Sequence, residues 1–212
     1  MDKISPDVRE HIESYILPRY KELKGHTSKH IEQVIKRSLN FVKQVPEANL
    51  DMVYIIAAYH DLGRLIDNET HNIESAKMLR KDEFLKSHFT KEEINTMAEA
   101  VEDHRASLGR EPRSIYGKIV SSADRTTSLD GMLERCYDYN KLLAPDLSED
   151  ELIEEVRKHL RRKYALNGYA TKTMYFEDPD FERVLKEVEE ITRDSATFNK
   201  VQKEFNKKRF KN

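Results

Sequence analysis

The sequence predicts an all-α protein, a helical bundle with a carboxyl-terminal helical extension. Three observations support this fold class. Apolar residues recur at helical spacing along most of the chain, and two capping boxes mark helix starts, at Thr90 with Glu93 and at Ser148 with Glu151. Only 6 glycines and 6 prolines occur in 212 residues, which leaves little of the chain for loops.

The first helices are indicated by apolar stripes that repeat every three or four residues. The amino-terminal helix starts with a Ser5 cap and Pro6 in its first turn, and it ends near Pro18. The next helix is predicted over residues 27–45. Residues 50–62 are apolar nearly all round, so this segment is predicted to be a buried central helix.

The helix that Thr90 opens carries its last apolar residue at Val101, and Pro112 is expected in the first turn of the helix after it. Residues 130–143 are expected to continue this bundle. We therefore predict a helical domain over residues 1–144 and a helical extension over residues 145–212. The apolar stripes of the extension either pack on the first domain or form a contact in a homodimer.

Four histidines and two aspartates fall where these helices turn them inward. They are His30, His60, Asp61, His71, His104 and Asp124. Taken singly, each has an ordinary interpretation as a hydrogen-bonded core residue or a helix cap. Together they place two carboxylates in an interior, where an uncompensated charge costs several kcal/mol. A bound cation removes that cost, so the set indicates a metal centre.

The order of these residues resembles the HD-domain superfamily of metal-dependent phosphohydrolases, an all-helical fold named for its adjacent His-Asp pair. The segments that carry the resemblance are GHTSKHIEQV, AAYHDLGR, HNIESAKML, VEDHRAS and IVSSADR. The resemblance implies two metal positions that share Asp61. The first would be held by His30, His60, Asp61 and Asp124, and the second by His71 and His104 with Asp61 as the bridge.

One or two divalent ions per chain are therefore expected as cofactors. Imidazole and carboxylate donors without thiolates favour manganese, iron, cobalt or nickel over calcium and structural zinc. The resemblance implies hydrolysis of a phosphate ester or anhydride of a small, nucleotide-like substrate by a metal-activated water. The chain looks more like the branch that hydrolyses symmetric dinucleoside polyphosphates. The alternative is a non-catalytic ligand sensor or protein-interaction module that contains metal.

Several cationic side chains are candidates to bind phosphate. Arg64 stands where single-metal nucleotidases of this fold carry the glutamate of HD-x-x-E, and its guanidinium can hold a phosphate through two parallel hydrogen bonds. We predict Asp61, Arg64 and Arg105 as catalytic residues, with both arginines neutralising the phosphate. Lys118 and Arg125 are predicted to bind substrate as well. The alternative for each cation is a solvated helix face.

Two further residues stand close to the predicted ligands. Asp103 either orients a ligating imidazole through its second ring nitrogen or is an ordinary surface acid. His26, one helical turn before His30, either lines the pocket or has a capping or surface role.

Charge and composition restrict the partners. A formal net charge of -2 gives no general attraction to nucleic acid, so phosphate recognition has to be local. A single cysteine, Cys136, excludes an internal disulfide and fits a reducing compartment. The sequence has no apolar run for a membrane span and no signal-peptide core. We expect a cytoplasmic protein with no membrane partner.

Overall fold

The computed structural model describes residues 3–23, 28–165, 168–171 and 174–210, and within these ranges it contains helices and no strand. This confirms the all-α prediction. His26 lies outside the described residues. The α-helices are α1 (Pro6–His11), α2 (Ser28–Phe41), α3 (Leu50–Tyr59), α4 (His71–Lys81), α5 (Glu83–His88), α6 (Lys91–Glu102), α7 (Ile115–Ala123), α8 (Leu129–Leu143), α9 (Glu149–Tyr164), α10 (Pro179–Thr192) and α11 (Ser195–Arg209). None of the helices that the structure describes has the length and hydrophobicity to cross a bilayer.

The chain divides into two compact units, Met1–Asp124 and Arg125–Asn212. This division lies twenty residues before the predicted start of the extension because α8 packs with α9, α10 and α11. Helix α8 therefore belongs to the second unit, whereas the sequence placed it in the first bundle. The buried core of the second unit consists of Met132, Leu133, Cys136, Ile153, Val156, Leu160, Tyr164, Ala170, Phe181, Val184, Val188 and Phe198.

Helix α3 is the centre of the first unit. It packs against α2, α6 and α7, and every residue from Met52 to Tyr59 is buried, as its nearly uniform apolar sequence predicts. Asn49 caps its amino terminus by accepting a hydrogen bond from the Met52 N–H at 3.2 Å. The helix ends before residue 62, the predicted end, and a 3₁₀ turn over Leu62–Leu65 follows. The His-Asp pair therefore lies at the junction between the helix and this turn.

The predicted capping box of α6 is confirmed, since the Thr90 hydroxyl and the Glu93 carboxylate each bond the other's backbone N–H. The expectation for Pro112 is wrong. Helix α7 begins only at Ile115, because the Ser114 hydroxyl caps it by accepting from the Gly117 N–H at 3.3 Å. Pro112 is buried ahead of this cap.

Candidate metal centre

Helix ends bring the six predicted ligands together in the first unit. His30 lies in the first turn of α2, the His60-Asp61 pair follows α3, and His71 is the first residue of α4. His104 lies two residues beyond the end of α6, and Asp124 caps the carboxyl end of α7. The packing of these helices around α3 thus gathers residues that are far apart in the sequence.

The first group of possible metal ligands comprises His30, His60 and Asp124. One ligand atom from each lies within 4.8 Å of the others. The Asp124 Oδ1 atom is 3.1 Å from His30 Nε2 and 3.7 Å from His60 Nε2. His60 is fully buried, while His30 and Asp124 keep some exposure. The group is thus enclosed on one side and accessible on the other.

The second group comprises Asp61, His71 and His104, all three buried, again with one ligand atom each within 4.8 Å of the others. The Asp61 Oδ1 atom is 3.2 Å from His71 Nε2 and 3.6 Å from His104 Nε2. The two Nε2 atoms are 3.3 Å apart. Such spacing suits donors that converge on one ion.

Asp61 joins the two groups. Its other oxygen, Oδ2, faces the first group, at 3.6 Å from His60 Nε2 and 3.9 Å from His30 Nε2. Asp61 is only 1 % exposed, so neither oxygen is directed at solvent, and Oδ2 also lies 2.9 Å from Arg64 Nε. Asp61 could therefore supply one oxygen to each of the two ligand groups.

Three of the imidazoles are oriented by the backbone. Each Nδ1–H donates to the carbonyl oxygen three residues earlier, at 2.7 Å in every case: His60 to Ala57, His71 to Asn68 and His104 to Val101. The Nε2 lone pair of each ring then points into the cluster. Metal-bound histidines are held in this way by a second acceptor.

Asp103 makes no hydrogen bond to an imidazole nitrogen of the described residues, and it is no surface acid either. Its fully buried carboxylate accepts hydrogen bonds from Arg110 Nη2 at 2.5 Å and from Arg113 Nε at 3.0 Å. Both alternatives from the sequence are therefore wrong.

The electrostatics keep both aspartates ionised. Burial tends to raise the pKa of Asp61, but His60 and His104 overcome it and hold this pKa well below the usual range. Burial likewise opposes ionisation of Asp124, and the neighbouring rings of His30 and His60 lower its pKa. For His60, burial is outweighed by Asp61 and Asp124, which raise the pKa to about 8.

The pKa of His71 is shifted in the opposite direction from that of His60. Burial, assisted by the Arg64 charge and by His104, lowers its pKa to about 4 against the pull of Asp61. The ring is therefore neutral at physiological pH, which is the form that ligates metal.

The donor set fits divalent cations. The fully buried Nε2 atom of His60 has no hydrogen-bond partner in the ranges that the structure describes, although buried polar atoms are normally satisfied. Nitrogen and carboxylate oxygen surround it, and the chain's single cysteine is buried in the second unit. Imidazole and carboxylate together suit first-row transition metals.

Gly63 and Ser75 support the site, and sequence reasoning assigned neither a role. The Gly63 N–H donates to Ser75 Oγ at 2.7 Å, which ties the 3₁₀ turn after Asp61 to α4. A Cβ on Gly63 would lie 2.5 Å from the backbone nitrogen of Ser75 and closer still to the His71 carbonyl oxygen. The only signal in the sequence is a glycine two residues after the His-Asp pair.

Of the predicted phosphate-binding cations, Arg64 contacts the cluster. Its Nε atom is 2.9 Å from Asp61 Oδ2, and its Nη1 donates to the Asn68 side chain. Arg105 donates to the Glu69 carbonyl oxygen at 2.7 Å. Both arginines border the turn that leads into α4.

The other two cations have partners outside the six proposed ligands. Lys118 pairs with Glu111 at 2.6 Å. Arg125 belongs to the second unit, where it donates to the Ala170 carbonyl oxygen and lies 5.4 Å from the centre of the Phe181 ring. The contacts of Lys118 and Arg125 thus favour structural roles.

Comparison with known proteins agrees with this geometry. Residues 27–129 match the family model described as HD domain, and this segment contains all six residues of the cluster. No curated protein and no solved structure gave a significant match.

Proposed function

The chain belongs, through residues 27–129, to the HD-domain superfamily, and we propose on this premise that it is a metal-dependent phosphohydrolase. The proposed reaction is hydrolysis of a phosphate ester or anhydride in a small, nucleotide-like substrate. The observation that carries the proposal is the position of Asp61, whose two oxygens face different imidazole pairs. One shared carboxylate between two nitrogen-rich groups supports a site for two cations.

Charge supports an anionic substrate. Two ionised aspartates contribute two negative charges, and the four imidazoles, which bind metal in their neutral form, contribute none. Two divalent ions would leave the centre with a net charge of about +2, which favours phosphate over neutral esters. When bound, the ions supply a water of lowered pKa and stabilise the charge that develops on the phosphoryl oxygens.

Arg64 is the side chain we assign to the substrate. Its side chain is about 20 % exposed, and its Nε atom already lies beside Asp61. A planar guanidinium can bind two phosphate oxygens while one edge keeps its contact with a carboxylate. Arg105 is assigned a second contact with the phosphate, for which it exchanges its hydrogen bond to the Glu69 carbonyl.

Metal analysis followed by an activity panel tests the proposal. Protein purified without chelator is assayed for bound metal, and then for hydrolysis of chromogenic phosphodiesters and a nucleotide panel with added Mn²⁺. Asp61→Ala is expected to abolish metal loading and turnover together. Arg64→Ala is expected to keep its metal and to raise KM.

Asp146→Ala provides the matched control, because Asp146 is an exposed aspartate in the second unit. It should bind metal and turn over like the wild type. Full activity of metal-free Asp61→Ala would refute the mechanism. Tightly bound metal without hydrolysis of any compound in the panel would instead favour the ligand sensor.

A further inference from the structure

Asp103 is a fully buried carboxylate that precedes His104 and points away from the metal cluster. We infer that it is a positioning residue that sets the spacing of His71 and His104 and thereby the affinity for the second cation. The inference rests on the proposed two-cation site. The affinity for the second cation would thus be controlled by a salt-bridge network outside the metal cluster.

The Asp103 carboxylate is saturated with hydrogen bonds. Its Oδ2 atom accepts from the Arg113 backbone N–H at 2.8 Å, from Arg113 Nε at 3.0 Å and from Arg110 Nη1 at 3.2 Å. Its Oδ1 atom accepts from Arg110 Nη2 at 2.5 Å and from Arg113 Nη2 at 2.9 Å. A buried carboxylate with two guanidinium partners fixes the backbone on both sides of it.

The same network reaches the start of α4. Arg113 Nη2 also donates to Glu102 Oε2 at 2.6 Å, and Arg80 of α4 donates to Glu102 Oε1 at 2.8 Å. The Asn72 side chain donates to the Glu102 carbonyl oxygen at 2.7 Å. Asn72 is the neighbour of His71, so the network connects the backbone of one imidazole to that of the other.

Backbone position decides the geometry of this imidazole pair. Both rings are held by carbonyls three residues earlier, so a ring follows its own stretch of backbone. The 3.3 Å between His71 Nε2 and His104 Nε2 therefore depends on how the end of α6 lies against the start of α4. Removing the Asp103 charge takes the shared carboxylate from both arginines and loosens that junction.

The first ligand group is anchored differently. Arg37 of α2 donates to the Ala123 carbonyl oxygen at 2.6 Å, which links the helix of His30 to the end of α7 beside Asp124. Asp103 and its arginines contribute nothing to this bond. A change at Asp103 should therefore act on the second cation alone.

Calorimetric titration with Mn²⁺ tests the inference, with electron paramagnetic resonance of the Mn²⁺-loaded protein as a second readout. Wild type is expected to bind two ions that are magnetically coupled. Asp103→Asn should weaken the affinity for the second ion by about 10- to 100-fold and leave the affinity for the first unchanged. At limiting metal, this variant should show the spectrum of isolated Mn²⁺. Excess Mn²⁺ should restore the coupled spectrum.

Glu154→Gln is the control, because Glu154 pairs with Arg157 at 2.7 Å in the second unit. It should leave both Mn²⁺ affinities as in wild type. If Asp103→Asn does not fold, Arg110→Ala tests the inference instead. Arg110 is half-exposed, and its replacement removes two of the five hydrogen bonds to the Asp103 carboxylate. It should weaken the second ion by a smaller factor.

Equal weakening of both ions, or two wild-type affinities in a folded variant, would overturn the inference while the proposed function stands. Fewer than two Mn²⁺ ions on the wild type would overturn the two-cation site and this inference with it.

Discussion

Replacing Gly63 with alanine tests how closely the turn after Asp61 must approach α4. The added Cβ would lie 2.5 Å from the Ser75 nitrogen and 2.8 Å from the Glu74 Cβ, and the backbone of a helix cannot move aside as a side chain can. Ordinary contact requires a shift of about 1 Å. Such overpacking costs about 1–3 kcal/mol of unfolding free energy.

The same shift separates Asp61 from His71, the first residue of α4. We expect Gly63→Ala to weaken the affinity for the second Mn²⁺ ion by about 10- to 100-fold. Chemical denaturation of the metal-free protein measures the free energy, and calorimetric titration measures the affinity. Gly109→Ala is the control: its Cβ meets nothing within 4 Å, so its effect should stay within about 0.5 kcal/mol. Gly63→Ala with the stability of Gly109→Ala and wild-type metal affinity would refute the packing argument.

Three further outcomes are expected. Burial, with Lys163 and Arg162 nearby, lowers the pKa of half-buried His159 to about 4, so the unfolded state takes up the proton first as the pH falls below about 6.5. His159 should therefore contribute about 1–2 kcal/mol to the decline in stability between pH 6.5 and 4, and His159→Gln should remove this contribution in denaturation curves. Mn²⁺ at 100 times its dissociation constant should stabilise the wild type by about 3 kcal/mol and leave Asp61→Ala unchanged, as seen in thermal melts. Arg37→Met deletes a charged donor to the Ala123 carbonyl and should cost about 1.5–3 kcal/mol in denaturant unfolding.

Local signals explain what the sequence predicted. Helix starts are set by side chains within three residues of the cap, so the capping boxes at Thr90 and Ser148 were found correctly. Apolar stripes identified α3 as the central helix because burial on all sides requires apolar residues on all sides. The pattern of His and Asp residues could be recognised for a related reason, because each of these residues lies at a helix end that such signals locate.

Long-range contacts explain what the sequence did not predict. The apolar stripe of α8 does not by itself identify the core on which the helix packs, and only the fold places Cys136 in the same buried cluster as Phe181. In the sequence, Asp103 cannot be told apart from its acidic neighbour Glu102. Its burial depends on Arg110 and Arg113, which fold back onto it from the following loop. Arg125 is adjacent to Asp124, but consecutive residues of a helix end do not share a face.

Helix ends also determine the order in which ligands bind. The His60-Asp61 pair, His104 and Asp124 all follow the carboxyl ends of helices, where unpaired carbonyls and the helix dipole give a negative potential. Together with the Asp61 and Asp124 charges, this potential attracts cations and repels phosphate. In the metal-free cluster, the charges of Arg64 and of His60, whose pKa is raised to about 8, only balance those of Asp61 and Asp124, so no positive charge is left over for phosphate. Inorganic phosphate should therefore bind measurably only after Mn²⁺ has been added, and equal phosphate affinity with and without Mn²⁺ would contradict this electrostatic argument.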